Sequence, residues 1–203
     1  MKKEVRAIPR EQAVGWILEK HYAHRIPSIS WAFGLYLDGV LSGIVSYGTP
    51  ASPSLVVGVC GENNADKVIE LNRLVINEGV PKNSASYLVG QSLRLLPKPK
   101  IIVSYADTGQ GHIGYIYQAT NFIYTGITVA RTDIDTGEKH SRHYDKGGDY
   151  SKRKDRSQKH RYIYFAGCPE LRKVLRYKEE PYPKGESKRY DSGKELATQA
   201  YLF

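Results

Sequence analysis

Between Val68 and Ala130, short apolar runs alternate with segments of helical spacing, and this alternation limits the available folds more than any other feature of the chain. "VIELNRLVI" (68–76) has strand composition, while "NSASYLVGQSLRLL" (83–96) offers Ser84 as an N-cap ahead of Leu88 and Val89 at helical spacing. "KIIVSYA" (100–106) reads as a short buried strand, a helix follows from Gly109 to Phe122, and "IYTGITVA" (123–130) returns to strand. The order β-α-β-α-β implies an α/β layer with right-handed crossovers.

The flanking segments extend this layer. "PREQAVGWILEK" (9–20) spaces Ala13, Val14, Ile17 and Leu18 as an amphipathic helix behind a proline suited to a first turn. "WAFGLYLDGVLSGIVSYG" (31–48) is two apolar runs joined at Asp38-Gly39, a dipeptide that tolerates positive φ and predicts a tight hairpin. Beyond Arg131 the texture changes. "TDIDTGEKHSRHYD" (132–145) allows a second hairpin about Asp135 to Gly137, and "KGGDYSKRKDRSQKHR" (146–161) lacks apolar periodicity and reads as a basic loop. "YIYFAG" (162–167) is a strand, and "CPELRKVLRYK" (168–178) a short helix with Pro169 in its first turn. The remaining residues suit either an ordered arm or a flexible tail.

Charge bears on the partner. The 30 Lys and Arg against 21 Asp and Glu give +9, and 18 of those bases against 12 of the acids lie from Arg131 onward. Such a balance favours a polyanionic partner. Cys60 and Cys168 are too few for a disulfide framework or a four-thiolate zinc site, which points to a reducing, cytoplasmic setting. The N-terminus is polar and does not resemble a signal peptide, and no apolar run approaches the roughly 18 residues of a membrane span.

Several residues suit chemistry. Asp107 follows an apolar strand, where open α/β sheets place their ligand crevices; a carboxylate there could orient an amine or take its proton, or simply cap the next turn. Gly109, Gly111 and Gly114 lack the context of a dinucleotide fingerprint. "VPKNSASYL" (80–88) runs from strand to helix, so the amides near Asn83, Ser84, Ala85 and Ser86 form an anion site with Lys82 adding charge; capping by Ser84 is the alternative. Arg73, inside an apolar strand, faces a cavity, a carboxylate or a ligand if buried, or solvent at an edge. Tyr22, Tyr36, Tyr47 and Tyr117 are candidates to stack on a base. His21 and His24 are too few to make a metal site, and His140 and His143 read the same way. Lys152, Arg153, Lys154, Arg156, Lys159 and Arg161, flanked by tyrosines, combine phosphate contact with stacking and point to nucleic acid.

Taken together, "HYAHRIP" (21–27), "ELNRLVI" (70–76), "NSASYLV" (83–89) and "SYADTGQGHIGYIYQATNFIYTG" (104–126) resemble the Mom family of Mu-type phages, within the GNAT acyltransferase superfamily. The resemblance implies a GNAT-like mixed central sheet flanked by helices, with a basic C-terminal extension: a catalytic domain over 1–167, and a helix and arm over 168–203. It implies an enzyme that replaces an N6 hydrogen of adenine in double-stranded DNA with a carbamoylmethyl group, so blocking restriction. It makes Ser84, Ala85 and Ser86, with Lys82 and Asn83 beside them, the cradle of acetyl-CoA or a related acyl-CoA. Tyr22, Arg73 and Asp107 become reaction-centre residues, with Tyr47 and Tyr117 as stacking partners. "VPKNSAS" departs from the family superfamily's loop pattern in having neither glycine. Two other readings stay open: an acyltransferase acting on an amine of a protein, tRNA or small molecule, and a non-catalytic nucleic-acid-binding, anti-restriction protein.

Overall fold

The computed structural model describes residues 1–134 and 152–186. The second hairpin expected about Asp135 to Gly137, His140 and His143, and the end of the chain after residue 186 lie outside the described residues. A mixed sheet runs in the order β1 (Lys3–Ala7), β2 (Trp31–Leu37), β3 (Val40–Gly48), β4 (Val68–Ile76), β5 (Lys100–Asp107), β9 (Lys159–Ala166), β6 (Ile123–Ile127). The β2–β3 turn falls at Asp38 (φ 47°) and Gly39 (φ 86°), where the dipeptide predicted it.

Alternation along the strands divides the core between two faces. Ile102 and Val45 join Leu88, Val89 and Phe122 on the face covered by α3 (Ser84–Leu95) and α4 (Tyr115–Ala119). On the other face, Ile44 packs with Ala13, Trp16 and Ile17 of α1 (Arg10–Lys20), and Ile101, Val103 and Ile163 pack with Val59 and Cys60 of α2 (Pro53–Cys60). Among the described residues no helix is long and apolar enough to cross a membrane.

The feature that positions the site is a split in the sheet. β4 and β5 are parallel and pair only from Val68–Leu71 against Ile101–Ser104. Just beyond, Asn72 is an extra residue against β3: Ser46 faces Arg73 while Tyr47 faces Leu71. A bulge of this kind bends the strand that carries it. Asn72 is fixed there, donating to Ser28 O (2.7 Å) and accepting from Ser46 Oγ (2.7 Å). The C-terminal halves of β4 and β5 therefore diverge.

The structure corrects three expectations. The N-cap of α3 is Asn83, in the left-handed conformation (φ 67°), and Ser84 is the first helical residue, its hydroxyl donating to Pro81 O at 2.7 Å. The helix expected from Gly109 to Phe122 is a 3-10 turn at Thr108–Gln110 followed by the short α4, because Gly111 (φ 68°) and Gly114 (φ 83°) interrupt it. Gly114 is also required by space, since a Cβ there would lie 2.3 Å from the Tyr162 ring. The basic segment is not a loop: Arg153–Arg156 (β8) pairs with Arg131–Ile134 (β7) as a two-stranded ribbon, and Lys159 onward enters the main sheet between β5 and β6.

Candidate active site

Where β4 and β5 diverge, an open cleft of about 3110 Å³ crosses their C-terminal ends. Tyr22, Arg73, Asp107 and Tyr117 line it, as do Lys82, Asn83, Ser84, Ala85 and Ser86. The two groups that the sequence placed at neighbouring strand ends thus share one open space.

Asp107 closes β5 and is buried. Its carboxylate accepts from Gly109 N at 2.9 Å, capping the turn, and forms an ion pair with Lys159, the residue opposite it on β9. Burial alone would raise this carboxyl, but the Lys159 ammonium, the Ser157 hydroxyl and the Gly109 amide together hold it below the ordinary carboxylate value. It is therefore a persistent anion. A carboxylate of that kind accepts and orients an N–H better than it stores a proton.

Arg73 leaves the bulge toward the cleft. Its Nη1 donates to Asn72 O at 2.6 Å and its Nη2 to Arg25 O at 3.2 Å, while the buried Nε is without a partner among the described residues. Burial lowers its pKa. Tyr22 sits in the turn after α1, its phenol pushed up by burial and then by the charge of Asp107. The His21 ring lies 4.3 Å from it and the His112 ring 5.9 Å. His21 is held neutral, its pKa lowered to about 3 by burial and then by Arg73. Its Nδ1 accepts from Ala23 N at 3.0 Å, which leaves the ring proton on Nε2. His24 instead bonds Leu18 O through Nδ1 at 2.8 Å. Among the described residues no three His, Cys, Asp or Glu side chains are grouped to hold a metal.

The remaining sites separate. Tyr117 is buried at the cleft wall, its ring 5.3 Å from those of Phe122 and Tyr162. Tyr47 is fully buried in the core, bonded to Ser92 Oγ at 2.6 Å, and is not among the cleft-lining residues. In α3, Ser84 N is bonded to Pro81 O and Tyr87 N to Asn83 O, so the open donors of its first turn are the Ala85 and Ser86 amides. Lys152, Arg153, Lys154 and Arg156 are exposed, Arg153 gripping Thr132 through Nε (2.6 Å) and Nη2 (2.9 Å). Arg161 is tied to Thr125 at 2.9 and 2.8 Å and lies 3.4 Å over the Tyr177 ring.

Sequence reasoning missed two members of this cluster. Lys159 was read only as a phosphate contact; its pairing with Asp107 depends on a β5–β9 register 52 residues apart. His112 lay inside the glycine-rich stretch, and its position next to Asp107 was the available signal.

A mixed sheet split at its parallel pair, with a helix N-terminus over the opening, defines an α/β protein of GNAT-like layout. The chain belongs to the Mom protein family, whose model matches residues 2–184. It is similar to the methylcarbamoylase Mom of Escherichia phage Mu, with 30% identity over 115 residues, 54% of this chain and 48% of that one. The chain thus spans about half the length of the curated relative it matches. Similar solved structures include an N-acetyltransferase from Staphylococcus aureus Mu50 (14% identity, 82% of this chain and 99% of that one, TM-score 0.47). A Bacillus subtilis acetyltransferase in complex with CoA is another (12% identity, 81% and 99%, TM-score 0.44).

Proposed function

We propose that this chain is a transferase of phage DNA modification that acts on the N6 amine of adenine, by carbamoylmethylation or a related transfer, and so protects DNA from restriction. The observation that carries the reading is the convergence of Tyr22, Arg73 and Asp107 on the cleft that the start of α3 also lines. The exocyclic amine of adenine is a poor nucleophile because its lone pair is delocalised into the ring, so a site acting on it must hold and orient the base. Asp107, kept ionised by Lys159, accepts a hydrogen bond from N6–H and fixes the amine's direction; as the new bond to N6 forms the amine becomes strongly acidic and its proton passes to the Asp107 carboxylate. Tyr22, flanked by His21 and His112, offers the ring against which a base extruded from the duplex stacks. Arg73 brings a guanidinium whose Nε has no partner among the described residues, suited to an oxygen of the incoming group.

The residues present also fit an acyl-CoA. The Ala85 and Ser86 amides and the Lys82 ammonium suit a pyrophosphate, and Asn83 adopts the left-handed turn for which a glycine would otherwise serve. When bound, such a thioester would supply an activated carbon unit for transfer. The basic ribbon beside the cleft favours nucleic acid over a protein or small-molecule amine.

The test is direct. DNA from cells expressing the protein is digested to nucleosides and the adenosines are weighed; a mass-shifted deoxyadenosine is expected. Unmodified DNA, with a modified amine found in tRNA or protein instead, overturns the proposal.

A further inference from the structure

The β7–β8 ribbon is built at a cost that the fold itself does not explain. Its register sets Arg131 directly opposite Arg156, and like charges at facing positions of an antiparallel pair repel. Alternation places both on the ribbon face that, with Asp133, lines the cleft; Thr132, Asp155 and Arg153 occupy the other face. Neither guanidinium has an ion-pair partner among the described residues. Two adjacent cations with no ion-pair partner among the described residues, on a rim that opens toward the reaction centre, suit an anion arriving from outside.

The strand leading into this ribbon adds a second, independent observation. Ile127 (46% exposed) and Val129 (72% exposed) are large apolar side chains on the same cleft. Between them Thr128 is fixed: its N donates to Lys159 O (2.9 Å), its Oγ1 accepts from Lys159 N (2.9 Å), and its carbonyl accepts from Gln158 Nε2 (2.7 Å). The exposed apolar pair is therefore carried on a pinned backbone. It is also bonded to the residue that pairs with Asp107.

We infer that this edge is a DNA clamp, an inference that rests on the reading of the cleft as a base-modifying site. Arg131 and Arg156 hold a backbone phosphate next to the target nucleotide, and Val129, supported by Ile127, enters the stack in the space the extruded adenine leaves. Apolar wedges of this kind unstack base steps, and a two-stranded ribbon is of a size the B-form major groove admits. The partner is double-stranded DNA. The major groove of duplex RNA is too deep and narrow for the ribbon.

The probe is a mixed-sequence duplex carrying 2-aminopurine in place of adenine, whose fluorescence rises when the base leaves the stack, with anisotropy of an end-labelled copy reporting affinity. Val129→Ser is expected to lose most of the fluorescence rise while binding with nearly unchanged affinity, which also shows that the variant is folded. The deficit shrinks when the target lies opposite an abasic position, where less stacking is left to break. The double variant Arg131→Gln/Arg156→Gln is expected to weaken binding and reduce the slope of log affinity against log salt by about 1, at roughly 0.9 per phosphate contact. A full fluorescence rise with Val129→Ser, an unaltered salt slope with the arginine variant, or equal binding to duplex RNA overturns the clamp. The proposed activity fails separately: wild-type protein that extrudes 2-aminopurine yet leaves cellular adenosine unmodified supports the clamp and removes the activity. Variants that match wild type in extrusion and salt slope, from a protein that does modify DNA, do the reverse.

Discussion

Replacing Lys159 by Met removes the ammonium that faces Asp107 and keeps most of the aliphatic stem. The Lys159 side chain is 24% exposed and that of Asp107 10%, so the variant leaves a largely desolvated carboxylate with only the Gly109 amide and the Ser157 hydroxyl beside it. Breaking a fully buried pair from one side costs about 3–5 kcal/mol, and the partial exposure of the lysine places this pair nearer about 2–3 kcal/mol. For a chain of this size that lowers Tm by about 4–12 °C. The pH dependence is specific. In wild type the Asp107 pKa is depressed, so its contribution is present above the unfolded carboxylate value of about 4 and is lost as pH falls through the folded one. In the variant, burial raises that pKa, so the penalty is full at neutral pH and disappears as the carboxyl protonates. The stability difference, measured by urea unfolding, should be larger at pH 7 than at pH 4, and Asp107→Asn combined with Lys159→Met should recover part of it. A loss of equal size at both pH values, or one below about 1 kcal/mol at pH 7, would refute the argument that this pair is a desolvated, mutually dependent unit.

Three other outcomes follow from the same geometry. Asp107→Asn should abolish adenine modification, read by nucleoside mass, while DNA affinity by anisotropy stays within about twofold, because the residue orients the amine and does not grip phosphate. Gly114→Ala meets both a φ of 83° and the Tyr162 ring, and should lower stability by about 2–4 kcal/mol in urea unfolding, since the steric clash adds to the left-handed penalty. His21, neutral in the fold with a pKa of about 3, should show no ring titration by NMR between pH 8 and pH 5; because the unfolded chain takes up that proton near pH 6.5, the stability His21 contributes erodes below that value.

How much of this was legible depended on whether the signal was local. Asp38-Gly39 announced its turn, the apolar run at Val68–Ile76 its strand, and Asp107 its place at a strand end, because each is set by a few neighbouring residues. That Arg73, Asp107 and the start of α3 lie near one another was readable from order, since a parallel β4–β5 pair brings their C-terminal ends together, whereas Tyr22, in the turn after α1, entered through the family resemblance. What failed was long-range. The segment from Lys159 looks like a charged loop in composition, yet it becomes an interior strand because Tyr162 and Ile163 supply the buried positions, both fully buried, and the charged residues before them extend to the strand's wet end. Tyr47 could not be told from a cleft tyrosine, as the bulge that sets the facing of its neighbours leaves no mark in β3 itself.

The late insertion of β9 between β5 and β6 has a consequence for synthesis. While the ribosome is still making the ribbon, Asp107 has no lysine, β5 has a bare edge, and β6 has nothing to pair with. A nascent chain stopped short of Ala166 would hold Tyr22, Arg73 and the α3 amides without a finished floor beneath them, so activity should switch on in one step when the last third emerges rather than build up gradually.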